Sequence, residues 1–84
     1  MKWRLLVALR ALEFVETLPS RVRKQIRIRF QDMELHPESC SEYVEYDEKG
    51  RLLDACVCER YAIIFCQDVP DRQVKVLRVE PADS

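Results

Sequence analysis

Apolar and polar positions recur along this chain with two periods, a helical one up to about residue 35 and a period of two from Tyr43 onward. Residues 3–9, "WRLLVAL", are compatible with a first strand, although Leu and Ala also favour helix. In the next segment, "RALEFVETL", Ala11, Phe14, Val15 and Leu18 fall on one side of a helical wheel, opposite Arg10, Glu13 and Glu16. Pro19 ends this short amphipathic helix. Ser20 then suits the N-cap of a second helix reaching about Leu35, stopped by His36 and Pro37. The two helices are expected to form an antiparallel hairpin.

On the second helix Val22, Ile26, Phe30 and Met33 form the stripe expected to meet the core. Ile28 and Leu35 lie nearly opposite, beside Lys24. Isolated exposed apolar residues are ordinary; the sharper alternative is that these two mark where a partner segment crosses the surface.

The stretch "YVEYDEKGRLLDACV" predicts two strands about a turn at Asp47–Gly50, where the chain's one glycine can take a left-handed conformation. "RYAIIFCQDVPDRQVKVLRV" predicts two more strands around "DVPD". The predicted fold is α+β: an N-terminal strand, a two-helix hairpin, then an antiparallel sheet of about four strands with the helices on one face. Residues 60–67 are apolar on both sides, as expected of a central strand. The side of Ile64 that the helices leave open would then need some other cover.

At 84 residues the chain predicts one domain, residues 1–84, with a single core and about two-thirds of its unfolded surface buried. A net charge of −1 argues against a domain that holds nucleic acid by bulk electrostatics. The charge is nonetheless polarised. Residues 20–30 carry five basic side chains and no acid, and residues 38–48 carry five acids and no base, so the basic segment could still meet phosphate or an acidic partner. The apolar run Leu5–Leu9 is too short for an export signal or a membrane span. That places the protein in the cytoplasm, with no membrane partner and its four cysteines reduced.

Chemistry-bearing residues are sparse. A single glycine excludes a phosphate-cradling loop, and no cofactor is expected. Cys40, Cys56, Cys58, Cys66 and His36 could be imagined as zinc ligands, but a C-x-C pair lacks the turn of a zinc knuckle, so no metal is expected and the thiols read as core residues. His36 reads as a residue stabilised at a helix C-terminus. Arg51, Arg60, Arg72, Lys75 and Arg78 form a basic set on the predicted sheet. Arginines stabilise charge developing in phosphodiester cleavage, and Tyr61 or Tyr46 could move a proton or stack on a base. The weak catalytic candidates are therefore Arg51, Arg60, Tyr61 and Arg78, set against the plain reading of solvated rim positions.

"RALEFVETLP" followed by "VRKQI", together with "RYAIIFCQDVPDRQVKVLRV", resembles the helical hairpin and terminal strands of the RelE/ParE superfamily of type II toxin–antitoxin toxins. These motifs cover most of the chain and are largely fold-determining. RelE-type members are ribosome-dependent mRNA endonucleases. The resemblance places their strand basic residues near Leu53 and Ala55, their strand arginine at Ala62 and their terminal arginine near Ala82. The nuclease set is thus missing, and the resemblance implies a ParE-like toxin that binds a target such as DNA gyrase. It also implies a small cognate antitoxin; Ile28, Leu35, Tyr61, Ile64 and Val79 are its expected contacts, read from apolar exposure that the core leaves unexplained and not from a motif. Two alternatives remain: a ribosome-dependent mRNA interferase with a relocated basic site, and an inactive relative that keeps only antitoxin binding.

Overall fold

The computed structural model describes residues 2–82. The element order is β1 (Arg4–Val7), α1 (Leu9–Glu16), α2 (Ser20–Leu35), α3 (Pro37–Cys40), β2 (Tyr43–Tyr46), β3 (Leu52–Cys58), β4 (Tyr61–Asp68) and β5 (Gln73–Pro81). The five strands form one sheet in the order β1-β5-β4-β3-β2. The last four strands are antiparallel neighbours, as expected, whereas β1 joins β5 in parallel, so the sheet is mixed. A parallel neighbour requires a crossover, and the helices between β1 and β2 provide it.

Two helix boundaries differ from the sequence expectation. Ser20 is the first helical residue, and the N-cap is Pro19, without a side-chain hydrogen bond. Pro37, expected only to stop α2, also starts the short α3, because a proline lacking N–H fits the first turn of a helix.

Alternation along the strands gives the helices one sheet face. Ala11 and Val15 of α1, Ile26, Phe30 and Met33 of α2, and Cys40 of α3 meet Cys56, Cys58, Ile63, Phe65, Val74, Val76 and Val79 of the sheet, with Trp3 completing this core. Val15, Ile26, Met33, Ile63 and Phe65 are at most 2% exposed, so each removes a full aliphatic or aromatic side chain from water, worth about 1.5–3 kcal/mol apiece.

The turns follow local chemistry. Asp47 accepts backbone hydrogen bonds from Lys49 (2.9 Å) and Arg51 (2.8 Å), and Gly50 takes φ +78°, as the sequence anticipates. Between β3 and β4 the cross-strand partners Cys58 and Tyr61 leave Glu59 and Arg60 as a two-residue turn. Both have positive φ (52° and 71°). Such turns are ordinarily built from Asn and Gly, so neither side chain is well suited to its backbone.

The three thiols on the helix face are buried, and burial raises the pKa of each. The Cys56 thiol is pushed up to about 12, mainly by desolvation. They are core side chains, as the sequence suggests.

Two outcomes are expected. Replacing Arg60 by Gly relieves the left-handed backbone and raises unfolding free energy by roughly 0.5–1 kcal/mol, read by urea denaturation. Because the folded pKa of Cys56 is raised, its contribution is fully present below pH 9 and lost as pH climbs toward 12. The stability of the wild-type chain therefore falls more steeply across that window than that of Cys56→Ala, as measured by denaturation at a series of pH values.

Candidate functional site

The sheet face turned away from the helices carries Leu53 and Ala55 of β3 and Ala62 and Ile64 of β4 as a second small core, with Cys66 and Leu77 against it. Ile64 is 1% exposed. No partner is required to cover it, which corrects the expectation that Ile64 contacts an antitoxin. Its cover comes from β5. Phe65 pairs with Val76 and Ile64 with Arg78, so Leu77 is an extra residue, a β-bulge.

The bulge reverses the alternation beyond it. Counting by two from Val74 and Val76 would place Arg78 under the helices and Val79 outside. The observed order is the opposite: Val79 joins the helix-side core at 5% exposure, so it too is no surface contact. Arg78 faces the open side.

Arg78 is ion-paired with Glu80, two residues along β5 (2.6 Å), and with Glu45 on β2. To reach Glu45 on β2 its side chain must pass over β4 and β3, a path that lets its aliphatic stem cover the apolar cluster on that face. Burial disfavours its charge, but the hydrogen bond and charge of Glu80, and then those of Glu45, outweigh this and hold the pKa above the usual arginine range. Burial first, then the neighbouring Glu45 carboxylate, pushes the Tyr43 phenol up.

A concavity of about 410 Å3 opens at this end of the sheet, lined by Tyr46, Asp47, Glu48, Lys49, Arg51 and Arg78. Arg51 is paired with Asp47 at 2.6 Å. The hydrogen bond from the Arg51 backbone N–H is the main reason that the Asp47 carboxyl lies below its ordinary pKa. The lining is therefore electrically mixed, and both of its arginines already hold carboxylates.

The sequence-derived set does not come together as one site. Arg51 and Arg78 share the concavity, but Arg60 sits in the turn at the far end of β3 from Arg51. Tyr61 faces the helices, where its ring meets that of Phe14 edge-on with centroids 5.8 Å apart. Lys75 pairs with Cys66 across the open face. There burial raises the thiol pKa, while Lys75 and Arg51 pull it down. Sequence reading missed Glu45 and Glu80; their period-two positions on predicted strands were the available signal.

Ile28 and Leu35 of α2 are exposed, at 42% and 52%, so the structure leaves them accessible to a partner. Among the described residues, no cluster of three or more His, Cys, Asp or Glu side chains has a metal-binding arrangement, and no helix is long and apolar enough to cross a membrane.

Replacing Arg78 by Ala is expected to remove both the ion pairs and the apolar cover, lowering unfolding free energy by about 1–2 kcal/mol. Arg78→Met keeps the cover and should lose roughly half as much. Thermal melts of the two variants beside wild type provide the comparison.

No protein-family model matches the chain, and no curated protein has significant sequence similarity to it. Solved structures do match. RelE in the archaeal RelE–RelB complex of Pyrococcus horikoshii OT3 superposes with a TM-score of 0.81 at 16% identity, covering 98% of this chain and 97% of that one. The toxin–antitoxin complex RelBE2 of Mycobacterium tuberculosis gives 0.80 at 16% identity, covering 96% and 99%. The intact E. coli RelBE toxin–antitoxin complex gives 0.74 at 20% identity, covering 98% and 99%. Over nearly its whole length, the chain has the fold of the RelE toxins.

Proposed function

We propose that the protein is the toxin component of a type II toxin–antitoxin module, held inactive by a small cognate antitoxin in the cytoplasm. The observation that carries this reading is the end-to-end match of the fold to RelE chains solved in complexes with RelB. The exposed apolar pair Ile28 and Leu35 on α2 offers the antitoxin a place to dock, and half-buried Tyr61 lies at the edge of the same helix-bearing side.

For the mode of action we propose binding rather than RNA cleavage, in the manner of ParE-like toxins, with DNA gyrase as the model target. Two features support this. Ala62 stands where the resemblance requires a strand arginine and is 4% exposed. The catalytic candidates are divided between the two ends and two faces of the sheet, with Tyr61 toward the helices, and Arg51 and Arg78 are neutralised by Asp47, Glu45 and Glu80. Phosphoryl-transfer catalysis needs convergent charge in a preorganised site.

One observation favours a ribosome-dependent interferase instead: Arg51 and Arg78 line one concavity. Primer extension on translated messages after induction separates the readings. The binding reading predicts no induced cuts, whereas cuts that disappear in Arg78→Ala would establish the interferase.

The module reading predicts a small open reading frame beside this gene whose product, when co-expressed, yields a stable complex on size-exclusion chromatography and relieves growth inhibition. Ile28→Asp/Leu35→Asp should weaken that complex by at least about tenfold, since each substitution places a charge in an apolar contact. Absence of any complex with the wild-type chain would overturn the module reading.

A further inference from the structure

A second concavity, of about 460 Å3, lies at the other edge of the sheet, where β1 meets β5. Its lining is Lys2, Trp3, Arg4, Asp71, Arg72 and Gln73, three cations against one carboxylate. The backbone holds these groups together. Arg4 pairs with Gln73 in the parallel β1–β5 ladder, and the Arg4 N–H donates to the Arg72 carbonyl at 2.9 Å. The Trp3 backbone N–H donates to the Glu34 carbonyl at 2.7 Å, tying this end of the chain to α2. The Arg72 guanidinium carbon stands 4.9 Å from the Trp3 ring centroid, a cation–π arrangement. Neither Lys2 nor Arg4 forms an ion pair with any described residue. This contrasts with the first concavity, where both arginines are held by carboxylates.

We infer that this β1–β5 concavity binds a phosphate group, with Lys2 and Arg4 neutralising it and the Gln73 amide donating a further hydrogen bond. Arginine suits this task, since its planar donor fork matches phosphate oxygens. Trp3 is only 8% exposed, with Arg72 over its ring, so the site gives a nucleobase little surface to stack on. It reads the phosphate and not the base. The inference stands independently of the toxin reading, because it uses neither Ile28 and Leu35 nor the concavity of Arg51 and Arg78.

Trp3 is the chain's one tryptophan and reports on the site directly. Sodium pyrophosphate and a short oligothymidylate are titrated at constant ionic strength, followed by Trp3 fluorescence and by calorimetry. Saturable binding of pyrophosphate supports the inference with a free phosphate as ligand; tighter binding of the oligonucleotide supports it with a strand phosphate. Lys2→Gln and Arg4→Gln are each expected to weaken binding roughly tenfold, the effect of losing a charged hydrogen-bond donor, while Lys24→Gln, on α2, leaves it unchanged. The inference is overturned if neither ligand binds saturably by either method. It is equally overturned if Arg4→Gln binds as wild type does, or if Lys24→Gln weakens binding as much as the site variants do.

Discussion

A single extra residue in β5 decides which side chains of that strand face the helices and which face out. Val74, Val76 and Val79 all reach the helix-side core although their spacing is two and then three, because Leu77 bulges between the partners of Phe65 and Ile64. In an unbulged strand the position of Arg78 would fall beneath α1 and α2. A guanidinium buried there without carboxylates would cost several kcal/mol, more than one core valine returns. The bulge instead delivers Arg78 to a face where Glu45 and Glu80 wait for it. The second apolar cluster depends on the same residue, since Leu77 packs against it from one side.

This arrangement bears on function through charge. An arginine held by two carboxylates presents little net positive charge, so a phosphate gains little by approaching it. Arg51, held by Asp47, is in the same position. The cations of the open face therefore stabilise the sheet at its β2 side rather than presenting positive charge. At the opposite edge, Lys2 and Arg4 are held by no carboxylate of the described residues. Two concavities of similar size thus differ in what they can attract, and the difference lies in the acids placed beside the cations, not in the number of cations.

Most of the fold is legible in the sequence because its signals are local. The 3.6-residue stripe of α2, the period-two runs and the Asp47–Gly50 turn each need only a few neighbouring residues to be recognised. The central place of β4 is readable from its apolar character on both sides. The bulge is not legible, because Leu77 is an ordinary strand residue and no glycine marks the irregularity; this is why Val79 reads as exposed and is buried. Ile64 misleads for a related reason: Leu77, which packs against its cluster, does so from the bulge that the sequence does not mark. Arg60 and Tyr61 are adjacent in sequence, which suggests a shared site, yet one occupies a tight turn and the other packs on Phe14. Arg51 and Arg78 are far apart in sequence, and only the sheet brings them to one concavity.

The chain uses its one glycine at a turn that requires it, and then takes Glu59, Arg60 and Arg72 into the left-handed region without one. Each such residue carries strain of about 1–2 kcal/mol. At the β3–β4 turn the strain is sustained by the closure of the hairpin, by the Ala82 N–H donating to the Arg60 carbonyl at 2.9 Å, and by the ion pair of Glu59 with Arg21. At Arg72 the backbone carbonyl is tied to β1 through Arg4, and the side chain is laid on Trp3. A glycine there would relax the backbone but leave the indole uncovered and the concavity with one cation fewer. The strained arginine is therefore a placement that local conformational preference opposes and that the packing and charge of the β1–β5 edge favour.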